Sequence, residues 1–203
     1  MTSDGASPQA RDALLRAARE ELAERGDASV SLRAVARRAG VSHAAPAHFF
    51  GDRAGMLTAV ATEGFRMLST SLGDAARAAE GGSARLTALG RAYVDFGLEH
   101  PALIDLMFRR SELTPSDPGL MDAQQEALAD LRRVLAQITG EDSEGWALIS
   151  WALVHGLVTL AREGVLAPVA GRPPADAADL ARELAALYTS GVAGRGVVGS
   201  GSA

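Results

Sequence analysis

Between Ser31 and Arg53 the chain carries four arginines, Arg33, Arg37, Arg38 and Arg53, and two histidines, His43 and His48, against one carboxylate, Asp52. Side chains of these types bind polyanions. Guanidinium forks pair with phosphates and with the acceptor edge of guanine, and an imidazole adds charge when it protonates. Outside this segment the balance reverses: residues 1–53 hold eight arginines and seven acids, whereas residues 54–203 hold twelve and eighteen, so the net charge of −5 belongs to the second part. A locally basic segment in an acidic chain points to a polyanion partner for that segment alone, with a solvated helix face as the alternative.

Composition removes other chemistries. The 203 residues include no Cys, Lys or Asn, so all 20 cationic side chains apart from histidine are arginines. Disulfides, thiol nucleophiles, zinc fingers, P-loop lysines and Schiff bases are therefore excluded. The four histidines, at 43, 48, 100 and 155, lack metal-ligand spacing, so no metal and no cofactor is expected. No paired carboxylates, Ser/His/Asp arrangement or phosphate loop stands out, and an enzyme is the least favoured class. Gly194-Arg-Gly196-Val-Val-Gly199 spells a dinucleotide-binding pattern, but no strand precedes it and four residues follow. With 47% hydrophobic and 22% charged residues the chain is globular. The first thirty residues hold no apolar signal core, and no uninterrupted apolar run approaches about 18 residues, so the expected location is the cytoplasm, without a membrane span.

The elements that must position the basic segment read as helices throughout, and the expected class is all-α with about nine helices. Leu15, Ala18 and Leu22 share one face of a first helix that Gly26 ends. Ser31 caps a short second helix closed by Gly40, and Ser42 is expected to cap a third. A long fourth helix follows over residues 53–79. Further helices are marked by Leu86 to Phe96, by Leu103 to Phe108 after His100-Pro101, by Leu128 to Ile138, by the nearly all-apolar Trp146 to Leu160, and by Leu180, Leu184 and Leu187. No strict period-two run argues for a strand. The expected organisation is a DNA-binding domain over residues 8–53, a C-terminal domain over 54–190 and a disordered tail over 191–203, with residues 1–7 disordered as well.

Two short helices joined by a tight glycine turn form a helix-turn-helix if the junction residues are small, the turn residue accepts positive φ and an apolar residue plugs the turn. Ala36, Gly40 and Val41 supply these in order. An ordinary helical hairpin is the alternative, and the neighbouring charge favours DNA. Residues Arg11 to Val60 resemble the DNA-binding domain of the TetR-type bacterial transcriptional regulators. The resemblance is carried by Val30-Ser31, Ala39-Gly40-Val41-Ser42, Phe49-Phe50 and Arg53 with Met56-Leu57. The remainder is similar to a branch with a Trp-His-Gly C-terminal signature, matched by Trp151-Ala-Leu-Val-His155-Gly156-Leu157, together with Ser42-His-Ala-Ala-Pro46 and His100-Pro101-Ala-Leu-Ile. Two positions depart: Ala47 stands where the family commonly has Tyr, and Phe49 where it has His. The resemblance implies that the tyrosine's phosphate contact is missing here.

With no Asn or Gln between residues 31 and 53, the bidentate adenine contact is not available. Arg33 and His43 are the expected readers of guanine-like edges, and Ala44, Ala45 or Ala47 of thymine methyls. Ser31, Ser42, His48 and Arg53 are the expected phosphate contacts. In the second part, Phe96, Leu103, Met107, Phe108, Trp151 and His155 are candidates to line a ligand cavity, with plain core as the alternative for each. Small Ala147, Ala152 and Gly156 permit close helix approach, and the last helix offers a second stripe. The resemblance implies a homodimer in which these two helices make a four-helix interface, with Ala152, Gly156, Leu160, Leu180, Leu184 and Leu187 as its expected members. It further implies a repressor that reads a palindromic operator on double-stranded DNA with recognition helices roughly 34 Å apart, and a small-molecule effector that shifts the fourth helix. A DNA-independent helical ligand-binding or adaptor protein that kept the fold is the competing function.

Overall fold

The structure is a computed structural model that describes residues 8–26, 28–139 and 143–198, with side chains to residue 192. Among the described residues there are ten α-helices and no strand: α1 Pro8–Arg25, α2 Leu32–Ala39, α3 Ala45–Phe50, α4 Arg53–Ala78, α5 Gly82–Glu99, α6 Pro101–Phe108, α7 Pro118–Thr139, α8 Ser143–Arg162, α9 Leu166–Val169 and α10 Ala177–Val198. Single 3₁₀ turns lie at Arg110–Glu112 and Pro174–Asp176. The helix ends follow local chemistry. Gly26, at φ 73°, closes α1 with its N–H on the Leu22 carbonyl at 3.0 Å. Pro101 opens α6, and Asp117 caps α7 through its Oδ1, which accepts from Leu120 N–H at 2.8 Å while Pro118 takes the first helical position. At the far end α10 runs to Val198, past the point where a disordered tail was expected to begin; residues 199–203 and 1–7 lie outside the described residues. The glycine-rich dinucleotide-like stretch therefore starts inside a helix.

The chain divides into two compact units. The first takes in the described residues up to Arg66 together with His100–Gln124, and the second takes Met67–Glu99 and the residues from Gln125 onward. The boundary read from the sequence after residue 53 thus falls inside the first unit. Side-chain contacts show why α4 up to Arg66 goes with α6. Gly64 lets Met107 and Leu103 lie against the α4 backbone, Phe65 and Phe108 meet edge to face at 5.5 Å, and Thr114 N–H donates to Thr58 Oγ1 at 2.8 Å. Leu14, Leu15, Leu22, Val30, Val35, Met56, Leu57, Ile104 and Met107 are all buried and form this unit's core.

In the second unit α5, α8 and α10 pack on one another around buried Leu86, Leu89, Tyr93, Val154, Val158, Ala181 and Ala185. Gly97 is the closest approach, because a Cβ there would sit 2.6 Å from Val158 Cγ1. The close approach expected at Gly156 is not used among the described residues, since a Cβ there would meet none of them within 4 Å.

Candidate functional site

The helix-turn-helix is built from caps. Ser31 Oγ accepts from Ala34 N–H at 3.2 Å and starts α2. Gly40, at φ 68°, ends it, with Gly40 N–H on Arg37 O at 3.3 Å and Val41 N–H on Ala36 O at 3.1 Å, the paired bonds of a Schellman ending. The third helix departs from expectation. Ser42 does not cap it; its carbonyl accepts from Ala45 N–H at 3.0 Å in a turn, and α3 begins at Ala45 after Ala44. Pro46 is the reason. In a helix capped at Ser42, residue 46 would donate the first intrahelical bond, which proline cannot do, so the helix starts where Pro46 falls in its second position. The α3–α4 corner is equally tight: Gly51 has φ 77°, and Asp52 Oδ1 accepts from Gly55 N–H at 2.8 Å to cap α4.

The exposed surface of this motif presents Ser31, Arg33, Arg37, Ser42, His43, Ala44, Ala47 and His48. Of the thymine-methyl candidates, Ala45 must be withdrawn, because it is 4% exposed and faces the unit's own core. Two of the four arginines are also committed elsewhere. Arg38 binds Glu21 at 2.9 Å through Nε and Glu24 through both terminal nitrogens, so it ties α2 to α1. Glu21 is buried, and Arg25 first, then Arg38, hold its carboxyl below the usual carboxylate range although burial opposes them. Arg53, expected on phosphate, donates instead to Val30 O at 3.0 Å, to Ala28 O and to Glu112 Oε2 at 2.7 Å. The uncommitted cations are Arg33 and Arg37, which have no ion pair or hydrogen-bond partner among the described residues. Arg37 was not singled out from the sequence, and its i,i+4 spacing from Arg33 puts both exposed guanidiniums on one side of α2.

In the second unit, two of the expected ligand residues come together with one that was not singled out. Trp151 Nε1–H donates to Tyr93 Oη at 3.3 Å, and Tyr93 Oη lies 3.0 Å from His155 Nδ1. Burial pushes the Tyr93 phenol up, so it keeps its proton. Phe96 is buried in the same unit. Leu103, Met107 and Phe108 belong to the first unit, where Leu103 and Met107 are buried against Gly64 and Phe108 stacks on Phe65. The first unit also holds a cavity of about 340 Å³ between Arg11, Phe49, Phe50, Thr58, Glu63 and Thr114, which none of the six expected ligand residues lines.

Of the expected interface residues, Leu180 is buried in its own chain and is withdrawn. Ala152 and Leu160 on α8 and Leu187 on α10 are exposed, Gly156 and Leu184 partly so. Leu148 and Ile149, at 48% and 54% exposure, extend the same face of α8. By length and composition alone α8 passes as a membrane-crossing helix, a pattern a core helix also meets; Ser150, His155 and Thr159 kept it from reading as one run in the sequence.

Comparison with known proteins matches two families to successive parts of the chain. The family described as "Bacterial regulatory proteins, tetR family" matches residues 14–60, and the "Tetracyclin repressor-like, C-terminal domain" family matches residues 86–188, a span that contains Trp151, His155 and Gly156. No curated protein matches. A solved structure from Rhodococcus sp. RHA1, described as a protein with unknown function, is 32% identical, with 95% of this chain and 100% of that chain covered at a TM-score of 0.77. LfrR, a TetR-like transcriptional regulator from Mycobacterium smegmatis solved in complex with proflavine, is 20% identical over 90% of this chain and 96% of its own, at a TM-score of 0.62. PfmR, a TetR family regulator from Thermus thermophilus, is 17% identical over 88% of this chain and 96% of its own, also at 0.62. The last two likenesses are of fold. The C-terminal family match spans half of the chain and the N-terminal match covers the helix-turn-helix, and the chain belongs to the TetR family of transcriptional regulators.

Proposed function

We propose that the protein is a cytoplasmic repressor that binds a palindromic operator as a homodimer and releases it when a small molecule occupies the second unit. The observation that carries the DNA reading is the exposed surface of α2 and α3. Two unpaired arginines on α2 precede a turn and helix that offer two imidazoles, His43 and His48, and two methyls, Ala44 and Ala47, with no acidic side chain among them. Phosphates would be held by Arg37, Ser31, Ser42 and His48, and bases read by Arg33, His43 and the methyls. The exposed apolar face of α8 and α10, from Leu148 to Leu160 and at Leu184 and Leu187, supports self-association across a twofold axis. The Tyr93, Trp151 and His155 cluster supports an effector that carries an aromatic or hydrogen-bonding group.

The test is selection of genomic fragments on the purified protein, repeated with metabolites of the enzymes encoded beside it while Trp151 emission is followed. Arg37→Ala should weaken binding alike on all operator variants and reduce the slope of log K against log salt by about one. His43→Ala should relax the preference at a single base position. Equal sequence dependence of the two variants would refute this assignment of roles.

A further inference from the structure

We propose that Arg53 governs DNA affinity as a positioning residue and not as a phosphate contact, and that Glu112 is its necessary partner. The proposal rests on the DNA-binding reading and assigns to it a residue 59 positions away in the chain. All three guanidinium nitrogens of Arg53 are engaged. Nε donates to the Val30 carbonyl at 3.0 Å, Nη2 to the Ala28 carbonyl and Nη1 to Glu112 Oε2 at 2.7 Å.

Each partner has a consequence for the recognition surface. Ala28 and Val30 are buried residues of the α1–α2 loop, where their carbonyls have no helix to donate to them. Val30 directly precedes Ser31, whose hydroxyl caps α2, so the guanidinium fixes where α2 starts relative to the first turn of α4. Glu112 closes the 3₁₀ turn after α6 and aims the guanidinium from the other side. Two residues on, Thr114 N–H donates to Thr58 Oγ1 and holds that turn along the same stretch of α4. Three of the guanidinium's five N–H groups are engaged, and the two that remain lie beside a carboxylate that repels phosphate.

Operator binding is measured across a salt series for the wild type, Arg53→Lys, Arg53→Gln, Glu112→Gln and the double Gln variant, each normalised to active fraction by stoichiometric titration and checked by thermal melts. Positioning predicts that all variants bind about fivefold or more weakly, with slopes parallel to the wild type. Lysine should fail to rescue, because one ammonium cannot span two carbonyls and a carboxylate. The double variant should be no weaker than Arg53→Gln. A phosphate contact predicts the reverse: Arg53→Lys near wild type, Arg53→Gln with a slope shallower by about one, and Glu112→Gln binding more tightly because an anion has gone. Any of these three overturns the proposal. Glu112→Gln leaves the arginine and its carbonyl bonds in place, so it decides the matter even where Arg53→Gln is unfolded. Wild-type protein that selects no DNA overturns the DNA-binding reading itself, whereas wild-type binding with unchanged variants overturns the positioning role alone.

Discussion

In the first unit the contacts that join distant parts of the chain are directional and polar. Arg38 of α2 grips Glu21 and Glu24 of α1, Arg53 of α4 grips the α1–α2 loop and Glu112, and Thr58 receives Thr114. In the second unit polar ties also join the helices, Arg182 to Asp95, Thr87 to Thr189 and Tyr93 to Trp151 and His155, but they accompany close apolar approach of α5 to α8 and α10 at Gly97 and Gly90. Helix length explains the difference. At eight and six residues, α2 and α3 bury too little surface for packing alone to set their angles, so hydrogen bonds and ion pairs set them. With 18 to 22 residues each, α5, α8 and α10 bury whole stripes, and packing shares the task with the polar ties. The helix-turn-helix is therefore held largely by contacts that respond to salt, pH and single charges, while the joins of the second unit respond to volume as well.

Three substitutions break or sharpen that contrast. The largest effect is expected from Gly55→Ala, because the new Cβ would lie 2.0 Å from the Phe50 carbonyl oxygen, a backbone atom with nowhere to go. The α3–α4 corner must open, and operator affinity should fall on the order of a hundredfold or more in gel shifts while far-UV circular dichroism stays helical. Retention of near-wild-type affinity would show that the corner does not orient α3. Next comes Gly97→Ala in the second unit. Its Cβ would press on Val158 Cγ1 at 2.6 Å and Cγ2 at 2.9 Å, and a β-branched valine in a helix has almost no alternative rotamer. Overpacking should cost about 1–3 kcal/mol, seen as a lower urea midpoint, with operator affinity per folded molecule unchanged; an unchanged midpoint would mean that the α5–α8 contact is looser than its geometry.

The smallest effect concerns pH. Glu21 has a folded pKa below its ordinary value of 4.5, owing first to Arg25 and then to Arg38. A depressed carboxylate contributes stability that is fully present above the unfolded value and is lost as pH falls through that value toward the folded one. Thermal melts of wild type and Glu21→Gln from pH 7 downward should therefore converge below about pH 4.5. A residual acid slope in the variant is expected from Glu24, which Arg38 also lowers. Curves that stay parallel would remove Glu21 from the polar link.

Much of the fold was legible because helix boundaries are local. The Ser31 hydroxyl reaches a backbone N–H three residues on, and Gly40 closes bonds within its own last turn, so both ends of α2 could be read from neighbouring residue types. The start of α3 was legible too, had Pro46 been allowed to overrule Ser42. The site was read less completely. The basic character of residues 31–53 was evident, but its +3 excess counted Arg38 and Arg53 as available, and their partners lie 14 to 59 residues away. Ala45 was expected at a thymine methyl and Leu180, through the resemblance, at an interface, and only their neighbours in space put them in the core.

The sequence by itself thus determined an all-α chain, the helix-turn-helix and its cationic, asparagine-free reading surface, because caps, turns and composition act over one or two helical turns. Only the tertiary structure decided which arginines stay unpaired among the described residues, which leucines stay exposed and which aromatic groups meet. A guanidinium bonds whichever acceptor the fold brings within about 3 Å, and sequence distance does not say which that will be.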